Sequence, residues 1–239
     1  MKTNGFGQPI GFAVRCWSEP PRPERERIEG LRCSLEPLSL DAHADALYES
    51  NALDTDGRNW TYLAYGPFDT RAEYRRWIGA SSASADPLFY AVVDRATRQA
   101  IGVVSYLGIR PSQGSVEVGH INFSPRLQRT PAATEAMYLM MERAFTLGYR
   151  RYEWRCDALN ARSRKAAQRL GFSFEGVFRQ ATIYKGRNRD TAWYSIIGDE
   201  WPALQEAHSR WLDPANFTAE GEQRLSLSEL TRPVLKAIG

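Results

Sequence analysis

SVEVGHINFSPRLQRTPAATEAMYLMMERAFTLGYRRYEWRCDALNARSRKAAQRLGF, residues 115–172, is the stretch on which the architecture turns. Its first ten residues, Ser115 to Ser124, alternate as a strand does. Glu117, Gly119 and Ile121 fall on one face, and Val116, Val118 and His120 on the other. From Pro131 to Leu147 the period becomes helical. Ala133, Ala136, Met137, Met140, Ala144 and Leu147 share a stripe, and Gly148 ends it. Met137, Met140 and Met141 read as core packing. Arg151 to Asp157 is a second strand, with Tyr152, Trp154 and Cys156 on one face. Asn160 caps a second helix, which Gly171 closes. A loop that opens a helix presents unpaired backbone N–H groups in one direction, and with the helix dipole these favour a phosphate.

Outward from this stretch the pattern is equally regular. Leu31 to Leu38 alternates as a strand, and Asp41 starts a helix carrying Ala44, Leu47 and Tyr48. The aromatic run NWTYLAYGPF, residues 59–68, ends in a Gly-Pro turn. Asp69 or Thr70 then caps a helix with Tyr74, Trp77 and Ile78 on one face. Strands at 87–94, 100–110 and 115–124 are joined by short turns, so they are antiparallel neighbours. Beyond Gly171, residues 172–184 and 190–198 read as a last strand pair, and 200–212 as a helix with Trp201, Leu204 and Trp211 on its apolar face. The order predicts an α+β fold with a mixed, mostly antiparallel sheet flanked by helices. Residues 1–30, rich in proline, read as an extended arm whose Phe12, Val14 and Trp17 pack on the domain. Residues 31–201 form the domain, and residues 202–239 a helical extension with a short helix near 228–238.

Composition narrows the function classes. The chain has 239 residues, 43% hydrophobic and 25% charged, which suits one well-filled domain. A net charge of +3 without a dense Lys/Arg block gives no reason to expect nucleic acid. Cys16, Cys33 and Cys156 are odd in number and widely spaced, so neither a disulfide framework nor a metal cluster follows, and a reducing cytoplasm is expected. No apolar run nears the ~18 residues needed to span a membrane, and no secretory leader is expected, so the Asn-x-Thr patterns at 59–61 and 216–218 read as accidental.

Four motifs, in order, carry a family resemblance: Ser115–His120; QRTPAATEA at 128–136; Asn160 to Ser163 running on to Leu170-Gly171-Phe172; and Asp199-Glu200-Trp201 after the last strand. On these the chain resembles the GCN5-related N-acetyltransferase (GNAT) superfamily across roughly Leu31 to Trp201. Within it, it is most similar to the Rim-type branch, which includes enzymes that acetylate N-termini of ribosomal proteins. The resemblance implies the GNAT acyl-CoA N-acyltransferase fold, acetyl-CoA as co-substrate and an amine acceptor, such as a protein N-terminus. It also implies a pyrophosphate loop at Gln128, Arg129, Thr130, Pro131, Ala132 and Ala133. Proline stands there in place of the first glycine. Proline has no N–H to give, yet its fixed φ suits the first turn of a helix. Arg129, Thr130, Ala132, Ala133 and Thr134 keep their backbone donors, and Arg126 or Arg129 adds charge. Asn160 and Ser163 match positions that line the pantetheine arm in the resembled branch. Capping alone would also explain Asn160.

Transfer from a thioester to an amine needs a base for the ammonium proton and a donor for the acyl oxygen. In the resembled fold a bulge in the strand at 115–124 frees such a donor. Glu117 is the expected base, with Gly119 leaving room beside it. His120 is a second candidate. Many superfamily members place a tyrosine where this chain has Ala167, so protonation of the leaving thiolate falls to Ser163, Tyr184 or water. Trp60, Tyr62, Tyr65 and Tyr184 are expected around the acceptor. Trp193, Trp201 and Trp211 would suit a homodimer face. The alternative reading is a non-catalytic acyl-CoA-sensing or partner-binding module, motivated by Pro131 and Ala167.

Overall fold

The structure, a computed structural model, describes residues 2–239. Strands β1 (Lys2–Thr3) and β2 (Pro9–Ile10) form a small hairpin. The remaining strands are β3 (Ile28–Glu29), β4 (Cys33–Pro37), β5 (Leu88–Asp94), β6 (Ala100–Arg110), β7 (Ser115–Phe123), β8 (Arg151–Asp157), β9 (Ser173–Tyr184) and β10 (Arg187–Ile197). They build one eight-stranded sheet in the order β3-β4-β5-β6-β7-β8-β10-β9. Only β7 and β8 pair in parallel. They are joined by α3 (Pro131–Thr146), because parallel neighbours need a crossover whereas the others can turn back directly. The fold is the α+β arrangement the element order implied.

Two cores sandwich the sheet. On one face α3, α4 (Ala161–Arg169) and α5 (Trp201–Leu212) bury Val116, Val118, Met137, Met140, Tyr152, Trp154 and Leu204. On the other, α1 (Leu40–Asn51) and α2 (Arg71–Ala83) bury Leu47, Tyr74, Ile78 and Val103 against β5 and β6. Thr70 caps α2 in a reciprocal capping box with Glu73. Glu135 ties α3 to the sheet edge. Its carboxylate is 5% exposed and accepts from the backbone N–H groups of Leu31 (3.1 Å), Arg32 (2.7 Å) and Cys33 (2.8 Å).

The termini differ in detail from the sequence expectation. Phe12, Val14 and Trp17 are exposed rather than packed, and the β1–β2 hairpin closes on itself through Asn4, whose Oδ1 accepts from Phe6 and Gln8. Farther along, the arm is anchored: Tyr90 Oη donates to the Glu24 carbonyl at 2.7 Å, and β3 extends the sheet. At the other end Trp201, Trp211 and Leu227 join the main core, so Trp201 and Trp211 do not form the exposed dimer face expected of them, and Phe174 N–H donates to the Ala237 carbonyl at 3.1 Å. The final helix, α6 (Leu227–Thr231), is shorter than expected, since Pro233 lies within the 3-10 turn that follows. Among the described residues no helix is long and apolar enough to cross a membrane.

Candidate active site

The site forms where β7 leaves β8. Their pairing stops at Val118 opposite Trp154. Just beyond, the β6–β7 register passes from Ser105–Gly119 to Val103–Asn122, so β7 carries an extra residue. His120 sits in this bulge at φ +49°. The bulge overturns the simple alternation expected from sequence. Ile121 now packs on the α3 side, and His120 turns to the α1–α2 side with Glu117. Past Val118, the edge of β7 facing β8 has no strand partner, so its N–H groups are available inside the gap.

Glu117 lies at the mouth of the gap and is 6% exposed. Burial pushes its carboxyl up to about 7, against the pull of the neighbouring Arg155. Arg155 Nε is 3.1 Å from Glu117 Oε2, but out of line for a hydrogen bond. The arginines spend their hydrogen bonds on Glu153 instead, from Arg110 (2.9 Å), Arg151 (2.8 Å) and Arg155 (2.7 Å). Burial pushes Glu153 up too, but the bonds from Arg151 and Arg155 outweigh it and hold the carboxyl below its usual range. Two neighbouring carboxylates thus titrate apart. A Cβ on Gly119 would lie 2.8 Å from Leu107 Cδ2, so the absence of a side chain there is required by Leu107, while Glu117 Oε1 is 3.8 Å away. His120 is held down to about 4 by burial, with Nδ1 3.1 Å from Tyr65 Oη. Glu117 is therefore matched to proton transfer near neutrality, and His120 is a weak base.

The loop before α3 is partly self-satisfied. Gln128 N–H donates to Ser124, Thr130 N–H to Leu127, and Ala133 N–H to the capping Thr130. The Gln128 side chain donates to Asn59 Oδ1 (2.9 Å) and the Phe123 carbonyl (2.7 Å). Thr134 is buried and accepts from Arg169 at 3.1 Å, which joins α3 to α4. Backbone donors without an acceptor among the described residues remain at Arg129 and Ala132, at the start of a 16-residue helix. Across the gap Asn160 caps α4 through Ser163 N–H at 3.1 Å. Ser163 Oγ accepts from Trp154 Nε1 at 3.0 Å, which leaves the hydroxyl its own proton to give. Ala167 is fully buried in the α3-side core.

The aromatic loop divides. Trp60 is 5% exposed and packs edge-on against Tyr65, Phe68 and Tyr74, beneath the loop. Tyr62 Oη reaches the Leu159 carbonyl at 3.3 Å, and Tyr184 Oη donates to Asp157 at 2.8 Å. The β9–β10 hairpin clasps the loop: Lys185 Nζ donates to the Trp60 carbonyl (2.7 Å) and Arg187 to that of Thr61 (2.9 Å). Sequence reading missed this clasp and the Arg110–Glu153–Arg155 group. The one available signal was Arg151, Glu153, Arg155 and Asp157 alternating with apolar residues in β8, which marks a charged face beside Glu117.

The family model for the acetyltransferase (GNAT) domain matches residues 32–173, more than half of the chain. A GCN5-related N-acetyltransferase from Brucella melitensis is similar at 44% identity and a TM-score of 0.89, over 92% of this chain and 100% of that one. A probable acetyltransferase of the GNAT family from Chromobacterium violaceum is similar at 41% and 0.76, over 82% and 98%. RimL, the ribosomal L7/L12 alpha-N-protein acetyltransferase, shares the fold at 20% identity and a TM-score of 0.61, over 72% of this chain and 94% of its own. No curated protein matches the sequence. With the family model running from β4 through α4 and two relatives above 40% identity, the chain belongs to the GNAT family of acetyltransferases.

Proposed function

We propose that this protein transfers an acetyl group from acetyl-CoA to a primary amine, either a protein or peptide N-terminus or a small-molecule amine. The observation that carries the reading is the place of Glu117: a carboxyl buried at the mouth of the gap between β7 and β8, which burial pushes up to about 7. The residues present fit acetyl-CoA. Arg129 and Ala132 offer free N–H groups to the pyrophosphate, with α3 behind them. Asn160 Nδ2 and the Ser163 hydroxyl suit the pantetheine arm. When bound, acetyl-CoA supplies the acetyl thioester. Glu117 takes the ammonium proton of the acceptor, directly or through water. An N–H of β7 beyond Val118 stabilises charge on the acyl oxygen. Ser163, held by Trp154, gives a hydrogen bond or proton to the departing sulfur. Tyr62, Tyr65 and Tyr184 border the acceptor, while Trp60 supports the loop from below. The free cysteines are what supports a cytoplasmic setting.

A second reading, a non-catalytic acyl-CoA sensor, draws on Pro131 and on the core position of Ala167. Thermal shift with CoA, followed by thiol release over an amine panel, separates the two. Stabilisation with thiol release supports transfer. Stabilisation with no release for any amine supports the sensor, and no stabilisation removes both.

A further inference from the structure

The β9–β10 hairpin at the acceptor mouth carries more positive charge than its surroundings cancel. Between Phe178 and Asp190 lie Arg179, Lys185, Arg187 and Arg189, against the single carboxylate of Asp190. None of the four cations is ion-paired among the described residues. Asp190 is near enough to Arg179 to be held below its usual range by it, after the hydrogen bonds from Gln180 and Asn188, so these two charges offset. Lys185, Arg187 and Arg189 remain. Lys185 and Arg187 bond backbone carbonyls of the aromatic loop, which hold the side chains in place without neutralising them. Arg189 bonds Thr191 Oγ1 at 3.1 Å and lies beside the Tyr184 ring. It is also close enough to Glu117 for its charge to be felt there. Burial and then Arg187 hold Lys185 below the usual lysine range, as expected where positive charges crowd together.

Side-chain contacts aim this charge at the acceptor. The β9–β10 register shifts between Arg189 and Thr191, but Tyr184 Oη donates to Asp157 on the Glu117 face of β8, and Arg187 and Arg189 both lie beside the Tyr184 ring. Within that face the carboxylates of Glu117 and Glu153 are already opposed by Arg155, Arg110 and Arg151. Asp157, on the same face and accepting from Tyr184 Oη at 2.8 Å, offsets one of the three hairpin cations, so the charge at the mouth stays net positive. A protonated amine alone gains nothing from such a field. An acceptor with negative charge a few ångströms beyond its amine is drawn in and oriented with the amine toward Glu117.

Building on the acetyl-transfer reading, we propose that Lys185, Arg187 and Arg189 make this protein selective for anionic acceptors, amines that carry carboxylate or phosphate groups near the reacting nitrogen. Two sources share this chemistry, an acidic segment following a peptide N-terminus and a phosphorylated small amine.

The test uses the full-length protein and two matched acceptor pairs. One pair is a peptide with acidic residues after a common N-terminal residue and its neutral counterpart. The other is phosphoethanolamine and ethanolamine. The anionic member of at least one pair is expected to show kcat/KM about tenfold higher at low salt, the scale of two or three screened charge pairs. That advantage shrinks toward unity near ~0.5 M salt. The pair that responds identifies the source. Arg189→Gln lowers the anionic-to-neutral ratio by about threefold. Arg210→Gln, an exposed arginine on α5 across the sheet from the hairpin charges, leaves the ratio unchanged. The ratio cancels any effect on Glu117, because both members of a pair present the same amine. The salt series on the native protein needs no variant to fold. Equal kcat/KM within both pairs at every salt concentration overturns the inference while leaving acetyl transfer standing. Where no acceptor turns over, anisotropy with the labelled peptides decides. Salt-sensitive, Arg189-dependent binding of the acidic peptide keeps the inference and removes the transfer reading. No such binding removes both.

Discussion

Replacing Glu117 by glutamine keeps the size and removes the base. In the native fold this carboxyl is raised from 4.5 to about 7, which corresponds to about 3 kcal/mol of differential interaction. The sign follows from linkage. An acid raised in the fold holds its proton more tightly there, so its contribution to stability is full below 4.5 and is lost as pH rises through about 7. The native protein thus carries a buried, poorly paired negative charge at pH 8, and the glutamine variant does not. Arg155 keeps Glu153 at 2.7 Å and the Trp193 ring at 3.7 Å, so it is not stranded by the change. Two signatures are expected together. Turnover at saturating acetyl-CoA falls by about 10²–10⁴-fold, and the rise in rate through pH ~7 disappears. Meanwhile the loss of unfolding free energy between pH 6 and pH 8.5 is smaller in the variant than in the native protein, by about 1.4 kcal/mol, the rest of the difference falling between pH 4.5 and pH 6. A thiol-release assay across pH 5.5–9 measures the first and urea unfolding at the two pH values the second. Native turnover with an unchanged pH profile in the variant would refute the role of Glu117 as base. A parallel pH dependence of stability in the two proteins would refute the raised pKa.

The remaining predictions concern the scaffold and the phosphate loop. Glu135→Ala strands three backbone N–H groups at the start of β4 and is expected to cost about 3–5 kcal/mol, read by urea unfolding. His208 is fully buried, donates from Nε2 to the Leu170 carbonyl at 3.0 Å, and is held down to about 4 by burial. Its neutral form belongs to the fold, so stability is present above about 6.5 and is lost as pH falls toward 4. His208→Gln should weaken that acid limb by up to about 3 kcal/mol in unfolding measured at pH 4.5 and 7. Pro131→Gly returns an N–H to the phosphate loop. CoA binding by calorimetry should tighten a few-fold, at the cost of a lower Tm from the more flexible unfolded chain.

The order and type of the elements were legible in the sequence because they rest on local causes. Alternation marked β7 and β8, the 3.6-residue stripe marked α3, and Thr70 and Asn160 began helices by bonding their own third residues. The placement of Met137, Met140 and Met141 in the core also followed from that stripe. The proposed pyrophosphate loop and the nomination of Glu117 came from the family resemblance carried by residues 115–136. Sequence spacing did not reveal that Thr134 faces α4, or that Trp60 lies under its loop.

What the chain determines by itself is therefore the element order, the capping of its helices and the nomination of Glu117. What only the tertiary structure decided is how these act. The extra residue in β7 turned His120 to the Glu117 face and Ile121 away from it, since one inserted residue inverts a period of two. Burial separates the two candidate bases, raising the Glu117 carboxyl and lowering the His120 imidazole, and on that difference the proposed role falls to Glu117. The hydrogen bonds of Arg110, Arg151 and Arg155 went to Glu153, 36 residues along the chain, because parallel pairing sets it directly opposite Glu117. Proton affinity depends on what lies within a few ångströms in space, and that neighbourhood exists only once the sheet has formed.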